Sequence, residues 1–252
     1  MTCYDSSVTR IGILHPGEMG AAVGSVARGE GFWAPEGRSE ATAARARDAG
    51  LTAVPLPELL ERCQVVLSVC PPHAALDVAR ACAGFGGIYC DANAISPERM
   101  RQVAQAVGGR VVDGGIVGGP PHAFGDKPGT RLYLSGAEAG EVAELFEGTA
   151  LEPRVLGDEI GTASALKMCY AAWTKGSAAL LLAVADAAER LGIGDALRAE
   201  WEHSLPRVPT RLEQARRSAA AKGWRWIGEM EEIEATLGAG FHSAAADVYR
   251  RQ

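Results

Sequence analysis

The chain has 252 residues, 47% hydrophobic and 22% charged, with a formal net charge of −6. That length supports one large domain or two modest ones with a substantial core. The acidic balance removes any general electrostatic reason to bind nucleic acid or an anionic membrane, so phosphate recognition would be local, through backbone N–H groups and a few placed cations.

Through the first part, short apolar runs alternate with helical patterns. Strands are expected at residues 8–14, 31–34, 65–69, 87–91, 110–113 and 131–135, with helices at 18–28, 40–48, 56–62, 74–83, 97–107 and 139–147. Near-continuous apolar strands separated by helices predict a parallel sheet covered on both faces. After residue 158 the strand signals stop. One long Ala- and Leu-rich helical run, "EIGTASALKMCYAAWTKGSAALLLAVADAAERLGI", is followed by helices at 195–205, 210–222 and 224–237 and by the tail "FHSAAADVYRRQ". The expectation is an α/β domain over residues 1–158 and an all-α domain over 159–252.

Six cysteines, among them Cys70 and Cys169, form no CxxC pair and sit mostly in apolar contexts. They read as reduced thiols of a cytoplasmic protein with no metal site. The N-terminal "MTCYDSSVTR" has no apolar core of a signal peptide, and Asp186 and Glu189 interrupt the most apolar helix, so neither export nor a membrane span is expected. The segment "RVPTRLEQARRSAAAKGWRW" is locally basic, but arginines at helical spacing read as an exposed helix face rather than a nucleic-acid surface.

The stretch "IGILHPGEMG" places Gly17 and Gly20 at the last two positions of a G-x-G-x-x-G turn, with His15 where the first glycine would stand. In such a turn the middle glycine lets the backbone approach a pyrophosphate, and the last lets the helix pack against the strand. Pro16 has a fixed φ suited to holding the turn ahead of the helix. The amides of Gly17, Glu18 and Met19 would then face phosphate from the helix N-terminus. A plain strand–turn–helix junction is the alternative. At the end of the second strand, Arg38 and Ser39 follow "FWAPEG". An arginine there suits a ribose 2′-phosphate, which favours NADP(H) over NAD(H). Glu36 competes as an acid for a free 2′-hydroxyl, Arg38 also reads as a solvated loop charge, and Ser39 reads as a helix cap.

These motifs resemble the β-hydroxyacid dehydrogenase and 6-phosphogluconate dehydrogenase superfamily, which includes imine reductases. Within it the chain is most similar to a branch with an uncharacterised 6-phosphogluconate-dehydrogenase-like C-terminal domain. "HPGEMG" keeps the second half of the family's G-x-G-x-M-G. Cys70-Pro71-Pro72 resembles its cofactor loop, "DANAISP" with Asn93 its D-A-S-T-I-S-P segment, "DGGIVGG" with Gly118 and Gly119 its substrate loop, and "GTASALK" the helix ending in its catalytic lysine, here Lys167. The resemblance implies a Rossmann domain followed by a helical substrate and dimerisation domain, and a homodimer acting on a small molecule.

On sequence alone, a lysine on an apolar helix either reaches out to solvent or is held in a cleft. The resemblance implies the second for Lys167, with a lowered pKa and a part in general acid–base catalysis. Departures from the family are equally clear. Ala171 stands where an asparagine is usual, Thr174 where 6-phosphogluconate dehydrogenases carry a glutamate, and Val117 where the substrate loop has serine. Tyr170 is a candidate replacement donor or a packed aromatic. Glu229, Glu231 and Glu232 would face a cationic substrate or form a solvated helix face. Three functions follow from this pattern. They are an NADPH-dependent reductase or dehydrogenase of a small carbonyl or hydroxyacid, an imine reductase, or a catalytically silent NADPH-binding sensor or scaffold.

Overall fold

The structure, a computed structural model, describes residues 8–121, 129–238 and 240–251. It divides into two compact units, Met1–Lys167 and Met168–Gln252.

In the first unit, eight strands form one sheet in the order β3-β2-β1-β4-β5-β6-β7-β8. The strands are β1 (Arg10–Leu14), β2 (Glu30–Trp33), β3 (Thr52–Ala53), β4 (Val65–Ser68), β5 (Ile88–Asp91), β6 (Arg110–Val117), β7 (Thr130–Ser135) and β8 (Leu151–Gly157). Residues of β1, β2, β4, β5 and β6 feed two cores on opposite faces of the sheet. Ile11, Ile13, Val65, Leu67, Ile88 and Cys90 face one layer, while Leu14, Val66 and Tyr89 face the other. Both faces are therefore buried, which is why the strands read as continuous apolar runs. The helices α1 (Glu18–Val26), α2 (Glu40–Asp48) and α6 (Ala139–Glu144) cover the first face. The second is covered by α3 (Leu56–Arg62), α4 (Ala75–Ala81) and α5 (Pro97–Val107), with a 3-10 turn at Pro72–Ala74 ahead of α4.

Several differences from the expected elements have local causes. The sheet is not wholly parallel, because β7 returns antiparallel to β6. β6 runs four residues beyond the expected Asp113, so most of the "substrate loop" is strand. β3 has only two residues, and β8, "LEPRVLG", carries a proline and is exposed over its last four. Neither length nor alternation marks them as strands.

The second unit is helical, with the later turns of α7 (Thr162–Arg190), α8 (Gly194–Ser204), α9 (Val208–Leu237) and α10 (Phe241–Arg250). The break expected at Gly223 does not occur, and α9 is continuous through it. By length and composition alone α7 is apolar enough to cross a membrane, contrary to the expectation drawn from its acidic residues, although 39% of its most apolar window is buried within the protein. Of the cysteines described, Cys63, Cys70, Cys82 and Cys90 are buried free thiols, whereas Cys169 is exposed.

Candidate active site at the carboxyl edge of the sheet

The connections leaving β1 and β4, which are neighbours, go to opposite faces, α1 to one and α4 to the other. Open α/β sheets bind ligands at such a switch point, outside the carboxyl ends of the strands. His15 leaves β1 there with φ 64, and it is the one non-glycine residue at positive φ among those described. A left-handed conformation costs a residue with a side chain about 1–2 kcal/mol. The absent first glycine is thus replaced by a strained histidine followed by the buried Pro16. The Gly17 amide donates to the His15 carbonyl at 2.7 Å. This corrects the expectation that all three amides of Gly17, Glu18 and Met19 face a phosphate, since the first is used inside the turn.

The two glycines differ in the space around them. A Cβ at Gly20 would lie 2.5 Å from the His15 carbonyl oxygen, so only glycine lets α1 pack on this turn. A Cβ at Gly17 would meet nothing within 4 Å, so there is open space beside its Cα, although its N–H and C=O are both engaged within the turn and α1. Gly17 is the N-cap of α1 and supplies no side-chain cap. Exposed Glu18 and half-buried Met19 open the helix, Met19 packing on the core.

A pocket of ≈ 300 Å³ opens beside this turn, lined by Leu14, His15, Ala34, Glu36, Arg38 and residues of α3 and α4. His15 Nδ1 is buried with no hydrogen-bond partner among the described residues. Burial first, and Arg38 second, push the imidazole down to about 4. Arg38 is itself shifted downward, chiefly by burial. Glu36 accepts the Leu56 amide at 3.2 Å and so ties the start of α3 to this loop. The Ser39 hydroxyl caps α2 by accepting from the Thr42 amide.

Asn93 lies inside the edge rather than on its surface. It is 2% exposed. Its side-chain oxygen accepts the Cys70 amide, and its NH₂ donates to Asp91 at 2.8 Å and to the Ser68 hydroxyl at 3.1 Å. It therefore positions the Cys70-Pro71-Pro72 loop, whose Pro71 caps the 3-10 turn that Pro72 begins. Burial raises the Cys70 thiol to about 12, so it is no nucleophile.

Lys167 stands beyond β6. Its Nζ donates to the Ile116 carbonyl at 2.7 Å, and burial lowers the ammonium to about 8. Gly115 makes this approach possible, since a Cβ there would lie 2.9 Å from the Ala163 carbonyl and 3.2 Å from Lys167 Cβ. Buried Asp113 fixes the start of α7. It accepts from the Gly161 and Ser164 amides at 3.0 and 2.9 Å, the Ser164 hydroxyl at 2.6 Å and the Ser135 hydroxyl at 3.2 Å. The roles of Asp113, Ser135 and Gly115 were not assigned from sequence. The available signal was an aspartate inside an otherwise apolar strand.

Gly118 and Gly119 are exposed at the end of β6. Gly118 has φ +129, and the Thr130 hydroxyl donates to the Gly119 carbonyl. Val117 and Ala171 are buried apolar side chains. Tyr170 is exposed, and Thr174 donates its hydroxyl to the Tyr170 carbonyl one turn back. In the second unit, buried Glu229 pairs with Lys175, whose Nζ also lies 5.6 Å from the Trp226 ring centroid. Glu231 pairs with Arg250 at 3.0 Å, and Glu232 is buried. Glu229 and Glu232 are thus buried rather than solvated, whereas Glu231 stands on the exposed face in a surface ion pair.

Comparison with known proteins agrees with this geometry. Residues 188–252 match the family described as "Domain of unknown function (DUF1932)". An uncharacterised 28.5 kDa protein of Methanothermus fervidus is 32% identical over 165 residues, 64% of this chain and 63% of that protein, so the match spans less than two thirds of the relative. A solved conserved protein of unknown function, described as structurally similar to 3-hydroxyacid dehydrogenases, is 31% identical over 96% of both chains with a TM-score of 0.71. The 3-hydroxyisobutyrate dehydrogenase of Mycobacterium tuberculosis shares the fold at 20% identity and a TM-score of 0.67, over 97% of this chain and 93% of that one. The reductive aminase of Aspergillus terreus, in complex with NADPH and ethyl levulinate, shares it at 18% identity and 0.58, over 97% and 93%. With the motifs on one sheet edge and a full-length relative above 30% identity, the chain belongs to the β-hydroxyacid dehydrogenase and 6-phosphogluconate dehydrogenase-like superfamily.

Proposed function

We propose that the protein is an NADPH-dependent oxidoreductase of a small carbonyl or hydroxyacid, with Lys167 as its general acid and base. The observation that carries this is the placement of Lys167. Its amine is held at the carboxyl end of β6, the same sheet edge that carries the dinucleotide turn after β1, and is lowered to about 8 by burial. A dinucleotide fits that edge. The pocket is lined by His15 and Arg38, Gly17 leaves open space beside its Cα, and α1 presents an N-terminus without a side-chain cap. Arg38 in the pocket, with one Glu36 oxygen engaged by Leu56, favours the 2′-phosphorylated form.

When bound, the nicotinamide exchanges the hydride. Lys167 Nζ holds the proton that passes to the substrate oxygen as that atom gains charge, and it takes the proton back in the reverse direction. The exposed backbone of Gly118 and Gly119, at the end of the strand that holds Lys167, is the proposed substrate contact. The four buried free thiols suit a reducing, cytoplasmic setting. A homodimer is supported by the exposed apolar residues Trp173, Leu180 and Val184 on α7, whose spacing of seven and four residues matches a helix–helix seam.

Reduction of a C=N bond is the second reading. It is favoured by the apolar Val117 and Ala171, which supply no side-chain donor for a hydroxycarboxylate. The test is NADPH consumption against a panel of aldehydes, ketoacids and cyclic imines, with wild type and Lys167→Met side by side. Turnover of any member, lost in the variant, supports the enzyme. Tight NADPH binding without turnover on the whole panel would favour a silent sensor or scaffold.

A further inference from the structure

We propose that His15 is a specificity residue that, with Arg38, reads the phosphate on the adenosine ribose of the coenzyme and takes up a proton as that phosphate binds. The inference rests on the dinucleotide reading of the carboxyl edge and adds a residue and a regulation to it.

Three observations converge on this side chain. His15 keeps a left-handed backbone in a turn where glycine would be relaxed, and strain of this kind is retained where a side chain is needed. Its Nδ1 is buried with no hydrogen-bond partner among the described residues, although buried polar atoms are nearly always satisfied. The ring also lines the same ≈ 300 Å³ pocket as Arg38. A polar ligand in the pocket accounts for the retained strain and for the ring's place beside Arg38, and it would meet the ring away from Nδ1, which has no accessible surface of its own.

The charges facing His15 decide which ligand. Arg38 and Glu36 come from the loop after β2, Cys82 from the end of α4, and Cys70, after β4, lies within electrostatic reach of Arg38. Burial pushes both thiols up, Cys70 to about 12 and Cys82 to about 11, so neither carries charge at neutral pH. One Glu36 oxygen is held by the Leu56 amide. Glu18 stands three residues on, in the first turn of α1. Without an anion, burial and Arg38 keep the imidazole neutral. A phosphomonoester brings roughly −1.5 to −2 charges. It offsets Arg38 and accepts from the ring, so the doubly protonated imidazolium becomes the stable form. The proton comes from solvent, and no bond of the coenzyme is broken. A coenzyme with a free ribose hydroxyl brings no such charge and takes up no proton.

The experiment is calorimetric titration of wild type, His15→Gly and His15→Asn with NADP⁺ and NAD⁺ between about pH 6 and pH 8.5, in two buffers of different ionisation enthalpy. Both replacements tolerate a left-handed backbone, so folding is preserved. Wild type is expected to bind NADP⁺ roughly 10-fold tighter than either variant near pH 6, as one lost charge-assisted hydrogen bond implies. That advantage should shrink below about threefold near pH 8.5, with proton uptake seen only for wild type and NADP⁺. Parallel pH curves for wild type and variants, or equal proton uptake with NAD⁺, would overturn the role of His15 and leave the dinucleotide reading intact. Failure of wild type to bind either nucleotide would overturn both.

Discussion

The Ser164 hydroxyl meets the Asp113 carboxylate at 2.6 Å, a contact that fastens the helix bearing Lys167 to the strand whose carbonyl holds the lysine amine. Burial raises the Asp113 carboxyl, and the donors from Ser164, Ser135 and Gly161 work against that rise. Asp113→Asn would turn an NH₂ group toward donors. The expected loss is about 2–4 kcal/mol in urea unfolding, with a lower kcat, whereas Ser164→Ala should cost about 1–2 kcal/mol. Equal stability of Asp113→Asn and wild type would show that the carboxylate does not hold α7.

For Lys167, burial favours the neutral amine, so its folded value of about 8 lies below the ordinary 10.5. Reduction of a carbonyl needs the ammonium and should slow as pH rises through about 8. Oxidation needs the amine and should quicken over the same range. Between these two values the folded protein binds fewer protons at this site than the unfolded chain, so stability rises with pH there. Lys167→Met should cut turnover by roughly 10²–10⁴-fold while thermal stability is not lowered. A steady-state pH profile and a melt on the same preparations check both.

Gly17 and Gly20 are predicted to separate binding from folding. Gly20→Ala forces a Cβ onto the His15 carbonyl and should destabilise by several kcal/mol, of order 2–4. Gly17→Ala meets open space at an ordinary φ of −67 and should melt within about 1 kcal/mol of wild type. Yet it should weaken dinucleotide binding about tenfold or more, because the methyl occupies the ligand's side of the turn. Unchanged affinity in Gly17→Ala would place the phosphates elsewhere.

Asn93 offers a pH-dependent test. Burial raises Asp91 to about 7, the Asn93 bonds oppose the rise, and Asp113 adds to it. A group raised in the folded state binds more protons there than when unfolded, so stability falls as pH rises between about 4 and 7. Asn93→Asp sets a second acceptor against Asp91 and should be far less stable above pH 7, with partial recovery on acidification. Asn93→Ala should cost about 2–3 kcal/mol even at acidic pH by leaving the Cys70 amide without its acceptor, and somewhat more above pH 7, where the Asp91 carboxylate loses a donor. Chemical denaturation at several pH values distinguishes the two.

In the helical unit, the buried Lys175–Glu229 pair should show strong non-additivity. Removing either partner strands a charge and costs about 3–5 kcal/mol, whereas Lys175→Met with Glu229→Leu should cost less than either single change. A double-mutant cycle measures this, and additive losses would show that the two charges do not depend on each other.

Helices whose ends are written in local chemistry were legible from the residues alone. α5 begins on Ser96 with Pro97 at its first position and ends on Gly108 in the left-handed region, and its expected bounds, 97–107, match the structure. α2, capped by Ser39, matches as well. β3 and β8 were missed because a two-residue strand has no period and an exposed edge strand no apolar face. The false break in α9 came from Gly223, which is buried within a continuous helix. Local propensity there yielded to packing.

Apolar alternation, cap residues and the order of short motifs determined an α/β sheet with a dinucleotide-type turn, followed by a helical region carrying a lysine of interest. These signals are written in neighbouring residues, within reach of one turn or one strand. The tertiary structure alone decided that Asp113 caps a helix some fifty residues away, that Asn93 works beneath the Cys70-Pro71-Pro72 loop, and that Glu229 answers Lys175. Each of these depends on desolvation and on partners brought together by strand order and helix packing, and burial has no signature in the spacing of residues along a chain.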